Sequence, residues 1–187
     1  MMIVDLSHVK SVHEFNSDIR DRLEKRHGEG YTNIHDAITK YMEDCESYME
    51  LGVNQGGTAS AVMLTNPKFI QLVDIDLRKY EKYLGPIASE YCAENNIELV
   101  TLRCDSRDKE AEAKVDMLMI DSVHQPAFMS KELNRHGKNV NKYIIAHDTF
   151  TFPALHKLLV KWGKENGFEM IEYDKNSAGY TVIKRIN

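Results

Sequence analysis

The sequence predicts an α/β domain: one doubly wound, mostly parallel sheet, closed by an antiparallel hairpin and preceded by helices. Three observations carry this expectation, namely five short apolar runs, helical stretches between them, and a pair of strand-like segments around a polar turn near residue 177. The runs are Tyr48 to Val53, Phe69 to Ile75, Ile97 to Leu102, Val115 to Ile120 and Lys142 to Ala146. Each is short and rich in Val, Ile and Leu, as a parallel strand covered on both faces must be. The best defined helix runs from Pro153, a good first-turn residue, to the stop at Gly167, with Leu155, Leu158, Leu159 and Trp162 on one face. Strand and helix in alternation make βαβ units, which cross over right-handed and place ligands at the carboxyl ends of the strands.

Glu169 to Tyr173, a turn through Asn176 and Gly179, and Tyr180 to Ile186 form the closing hairpin. Ahead of the sheet, Val9, Val12, Phe15, Ile19 and Leu23, then Ile34, Ile38 and Tyr41, recur at helical spacing. Residues 1–45 are therefore expected to form a helical cap or lid, and residues 46–187 the ligand-binding domain.

Composition narrows the class. With 187 residues, 42% hydrophobic and 28% charged, the chain can bury a core without disulfides or metals, in the manner of ordinary globular domains. A formal net charge of -5 without a dense Lys/Arg stripe argues against duplex nucleic acid as a partner. Cys45, Cys92 and Cys104 are odd in number and lack CxxC spacing, which argues against a disulfide framework and a zinc knuckle. Asp5 and His8 interrupt the apolar stretch that a signal peptide would need between Met1 and Lys10, and no run is long enough to span a membrane. A cytoplasmic protein is expected, its oligomeric state open and a homo-oligomer allowed.

Function should lie just after each strand. The segment Glu50-Leu51-Gly52-Val53-Asn54-Gln55-Gly56-Gly57-Thr58 ends the first strand and opens a helix, so its glycines let main chain approach a ligand. Asn54 stands where a dinucleotide fingerprint needs its second glycine. Glu50 would repel a pyrophosphate and attract a cation.

The ExGxxxG pattern of this segment resembles the first motif of class I methyltransferases dependent on S-adenosylmethionine (SAM). The order of later elements, from about Tyr48 to Ile186, is similar to that family's. Together with MIDSVH (119–124), IIAHDT (144–149) and NSAGYTVIKR (176–185), it resembles most the small-molecule O-methyltransferases related to cephalosporin hydroxylase and catechol methyltransferase.

The resemblance implies SAM as cofactor, held by Glu50, Gly52, Gly56, Gly57 and Thr58. It implies that Asp74, 22 residues after Gly52, accepts hydrogen bonds from the ribose diol, with Asp76 as a competitor. Asp105 and Ser106 would meet the adenine ring, and Asp121 would lie beside the methyl group. In the metal-dependent branch, Asp121, His147 and Asp148 would hold Mg²⁺ or Mn²⁺, although relatives often carry an acid where His147 stands. Without a metal, His124 or His147 would act as general base on the acceptor hydroxyl, making Asp121, His124 and His147 the expected catalytic set. The expected partner is a small polar hydroxyl compound. Two alternatives stay open: a dinucleotide-dependent oxidoreductase on a similar sheet, and a SAM-binding module without catalysis.

Overall fold

The structure, a computed structural model, describes Leu6 and residues 8–186. Asp5, used above against a signal peptide, lies outside the described residues. In chain order the elements are α1 (Val12–His27), α2 (Asn33–Met42), β1 (Ser47–Leu51), α3 (Gly57–Met63), β2 (Phe69–Asp74), α4 (Arg78–Glu94), β3 (Glu98–Arg103), β4 (Val115–Ile120), α5 (Pro126–His136), β5 (Val140–His147), α6 (Pro153–Glu165), β6 (Phe168–Asp174) and β7 (Tyr180–Arg185). All five expected parallel strands and both hairpin strands are present, with ends shifted by at most two residues.

Local chemistry sets the helix ends. Ser11 caps α1 by accepting from the Glu14 backbone N–H, and Lys25, Arg26 and His27 fill its last turn, where the helix dipole favours positive charge. Proline opens α5 and α6, where the missing N–H costs no helical bond.

The seven strands order as β3-β2-β1-β4-β5-β7-β6. β1 to β5 pair in parallel, while β7 runs antiparallel between β5 and β6. Successive strand residues alternate between two cores, as a pleated sheet requires. Tyr48, Ile70, Leu72, Met117, Met119 and Ile145 join α1 to α4 on one face; Met49, Leu51, Val73, Leu118, Ile120 and Ile144 join α5 and α6 on the other. Phe15 and Ile38, both fully buried, place α1 and α2 within the first core. Among the described residues no helix is long and apolar enough to cross a membrane.

Because β7 sits next to β5, the turn between β6 and β7 comes to the carboxyl end of β5. There Thr149 N–H donates to Gly179 O, and the Phe150 and Thr151 N–H groups donate to Ala178 O. Gly179 is needed for that approach: its φ is +68°, and a Cβ would lie 2.4 Å from Phe150 Cβ.

Candidate active site

A cleft of 670 Å³ opens at the carboxyl ends of the parallel strands, and each loop after β1, β2, β3, β4 and β5 contributes to its lining. The loop after β1 is built by hydrogen bonds within the protein. Gly52 N–H donates to Val73 O at 2.9 Å, and the Val53 and Asn54 N–H groups both donate to Asp74 Oδ2, at 2.7 and 3.0 Å. Gly52 has φ +92°, and a Cβ there would lie 2.3 Å from Asp121 O. Its first role is thus to let β1 and β4 end side by side, which brings Asp121 to the bend.

Asp74 lines the cleft while its Oδ1 accepts from Asp76 N–H. Asp76, also lining, is clamped by Arg78, whose guanidinium holds the carboxyl well below the usual carboxylate range. Asp105 is paired with Arg107 in the same way, at 2.5 Å, and is held at about 2 by that bond. Ser106 donates to Glu132 Oε1 at 2.5 Å, and Ser122 donates to the same oxygen at 2.6 Å. Glu132 thereby fixes the distance between the loops that follow β3 and β4.

Glu50 is buried and is not part of the lining; it accepts from Tyr48 Oη at 3.0 Å and from Thr58 Oγ1. Burial raises its carboxyl to about 8, against the opposing effect of those two donors. Gly56 and Gly57 open α3 next to it.

At the ends of β4 and β5, two carboxylates face two imidazoles. His124 Nε2 lies 2.8 Å from Asp148 Oδ2 and 3.5 Å from Asp121 Oδ1; His147 Nδ1 lies 3.4 Å from Asp121 Oδ1 and 3.8 Å from Asp148 Oδ2. Hydrogen bonds to both carboxylates, Asp121 first, push His124 up to about 10. Burial would raise the Asp121 carboxyl, but the imidazoles, His147 foremost, outweigh it and hold the group at about 2. Burial likewise pulls His147 down, and Asp121 and Asp148 more than reverse that, leaving it raised. Asp148 has φ +58°, a strained value tolerated better by Asp than by most residues, and the hairpin bonds to residues 149–151 hold it there.

Asp121, His124 and Asp148 each offer one donor atom, all within 4.8 Å of one another. The expected trio had His147 in the place of His124. The compact donor set comes from two loops that meet above the sheet, whereas His147 is the last residue of β5, 7% exposed, with its ring edge against Tyr31 at 5.8 Å.

Three residues near the site had no part in the sequence reading. Tyr31, from the connection between α1 and α2, lines the cleft and stacks on His27 at 4.2 Å. Burial, then Asp148 and Asp121, raise its phenol to about 12. The other two are Glu132 and His35. Both interrupt apolar helical stripes, Met129-Glu132-Leu133-His136 and Ile34-His35-Ile38, and a polar residue in such a stripe is a signal readable in advance.

No family profile and no curated protein matches this chain. Solved structures do. The 1,6-didemethyltoxoflavin-N1-methyltransferase of Burkholderia thailandensis, solved with S-adenosylhomocysteine, is 13% identical at a TM-score of 0.62 over 100% of this chain and 93% of its own. The methyltransferase domain of bacterial CtHen1-C is 12% identical at 0.62 over 82% and 97%. The chain has the class I methyltransferase fold. A caffeoyl-CoA O-methyltransferase-like protein of Staphylococcus aureus shares it at 10% identity and a TM-score of 0.63, over 91% of this chain and 99% of its own. In this methyltransferase fold the cleft described above occupies the strand ends where open α/β sheets bind ligands.

Proposed function

We propose that the chain is a SAM-dependent methyltransferase that methylates a hydroxyl of a small polar molecule with help from a divalent cation. The observation that carries the reading is the placement of Asp121, His124 and Asp148 on the β4–β5 side of a cleft whose β2–β3 side is framed by Asp74 and Asp105. An adenosyl group held by the bend after β1 and by Asp74 would bring its sulfonium methyl toward that cluster. Glu50 is raised to about 8 by burial, so only once ionised would it favour a donor carrying positive charge over one carrying a pyrophosphate, and such a donor would in turn favour that ionisation. The antiparallel β7 between β5 and β6 likewise separates this sheet from the simple dinucleotide-binding order.

Transfer requires the acceptor oxygen to bond the methyl carbon as the carbon–sulfur bond breaks, leaving S-adenosylhomocysteine, and the hydroxyl proton must depart. His124, raised to about 10, already carries a proton near neutral pH and is a poor base. Two carboxylates that hold a proton on His124 so strongly also suit a hard cation, which would displace that proton to use the three donors within 4.8 Å and complete its shell with solvent or acceptor oxygens. A bound Mg²⁺ or Mn²⁺ would lower the acceptor hydroxyl's pKa and fix its orientation. Asp121 and Asp148 would position that ion, and Tyr31 and Phe152, the latter stacked on His124 at 4.9 Å, would limit water around it.

The test compares ligands on the intact chain. S-adenosylhomocysteine at about a hundredfold excess over its dissociation constant should stabilise the protein by about 3 kcal/mol, and NADH should not. Mn²⁺ should bind the wild type, as read by its electron paramagnetic resonance signal, and not Asp121→Asn, which keeps S-adenosylhomocysteine affinity within a few-fold. Stabilisation by NADH alone would overturn the donor assignment; equal Mn²⁺ binding by both proteins would overturn the metal.

A further inference from the structure

Glu132 is an unexpected residue on α5. It is 0% exposed, in the stripe that carries Met129 and Leu133 into the second core, and burial pushes its carboxyl above the ordinary glutamate value. One of its oxygens, Oε2, has no hydrogen-bond partner among the described residues. An unpaired buried polar atom destabilises a fold, and a leucine in the same stripe would avoid that cost. Stability alone therefore does not account for an acid here.

The other oxygen does what a leucine cannot. Oε1 accepts from Ser106 Oγ at 2.5 Å and from Ser122 Oγ at 2.6 Å, and both serines line the cleft. They belong to different halves of it. Ser106 stands between Asp105 and Arg107 on the β2–β3 side; Ser122 follows Asp121 directly and precedes His124 by two residues on the β4–β5 side. A displacement of either loop must stretch or shorten a bond to this one oxygen, which is carried by a helix packed in the core. If the donor's adenosyl group meets the β3 loop and a cation the β4 loop, as proposed above, a ligand that orders the first loop also orders the anchor of the second. The next ligand then meets groups that are already fixed and loses less conformational freedom on binding. We infer that Glu132 is a positioning residue that couples the two halves of the cleft, making donor and cation bind cooperatively through its bridge between Ser106 and Ser122.

The test reads Mn²⁺ affinity by electron paramagnetic resonance, with and without saturating S-adenosylhomocysteine, on the wild type, Glu132→Leu, Ser122→Ala and Glu132→Gln. S-adenosylhomocysteine is chosen because it has no sulfonium charge to repel the cation. In the wild type it should tighten Mn²⁺ about tenfold, and Mn²⁺ should tighten S-adenosylhomocysteine by the same factor, since coupling is reciprocal. Glu132→Leu and Ser122→Ala should bring that factor below about two, whatever they do to the separate affinities. Glu132→Gln, whose amide oxygen can still accept from both hydroxyls, should keep it within about twofold of the wild type. The full wild-type factor in Glu132→Leu or Ser122→Ala overturns the inference, and so does a loss in Glu132→Gln as complete as in Ser122→Ala. Should Glu132→Leu not fold, Ser122→Ala and Glu132→Gln decide the matter between them. A wild type that binds both ligands with no effect of one on the other sinks the bridge alone. Failure to bind S-adenosylhomocysteine instead sinks the SAM reading, and failure to bind Mn²⁺ sinks the metal, each taking the bridge with it.

Discussion

The bend after β1 and the ends of β4 and β5 lie a few residues apart in space and are built on opposite principles. In the bend, the N–H groups of Gly52, Val53, Asn54 and Gly56 all have partners inside the protein, two of them on the one oxygen of Asp74. At the β4 and β5 ends, the carboxylates of Asp121 and Asp148 and the imidazoles of His124 and His147 pair with one another, at 2.8 to 3.8 Å. The bend is finished without a ligand and offers a fixed shape. The other region holds carboxylates and imidazoles that stabilise one another's charge, a balance that a cation or a reacting group can shift. Shape from one half and electrostatic tension from the other is a division suited to holding a donor still while a proton is removed nearby.

The sharpest way to break the finished half is Gly52→Ala. A methyl 2.3 Å from Asp121 O, on a backbone at φ +92°, should destabilise the fold by roughly 3 kcal/mol or more, read by urea unfolding. An unchanged midpoint would mean that the bend is softer than its hydrogen bonds imply.

Glu50→Gln should act in the opposite direction. Its carboxyl is raised from 4.5 to about 8, so folding holds a proton that the unfolded chain releases. That stability is whole below pH 4.5 and is lost as pH rises to about 8. The glutamine variant should therefore gain about 5 kcal/mol near pH 9 and nothing near pH 4. Equal gains at both would show that ionisation is not the cause.

His124 gives a smaller effect with the same sign. Raised from 6.5 to about 10, it stabilises the fold fully below pH 6.5, and the contribution disappears as pH climbs through 10. With its side chain 35% exposed, solvent screening reduces this to about 1 kcal/mol. Its imidazole resonance in NMR should titrate well above that of free histidine in the wild type and fall back in Asp148→Asn. Asn33→Ala, which removes a 3.2 Å bond from Asn33 Nδ2 to Asp174 Oδ2, should cost less than about 1 kcal/mol and report how tightly the α1–α2 connection is tied to the hairpin turn.

The same contrast explains what could be read in advance. The finished half is local: Gly52, Gly56 and Asp74 follow from spacing after apolar runs, because a strand, a turn and a helix have fixed lengths. The hairpin was legible for the same reason. The charged half depends on which rotamers meet across loops. Sequence places Asp121, His124, His147 and Asp148 at two neighbouring strand ends, but nothing in spacing says that His124 completes the compact donor set while His147 turns into the sheet end against Tyr31. Tyr31 was harder still, since it precedes β1 and reaches the cleft only because α1 and α2 pack on the first core.

The place of β7 has a consequence for how the chain is made. β6 is synthesised before β7 yet has no neighbour in the sheet without it, because β7 lies between β5 and β6. Until residues 178 and 179 emerge, the N–H groups at 149–151 lack their carbonyl partners, and the left-handed turn at Asp148 lacks the bonds that brace it from the hairpin. A nascent chain halted on the ribosome before that point would carry every acidic and imidazole group of the cluster without the hairpin bonds that brace Asp148.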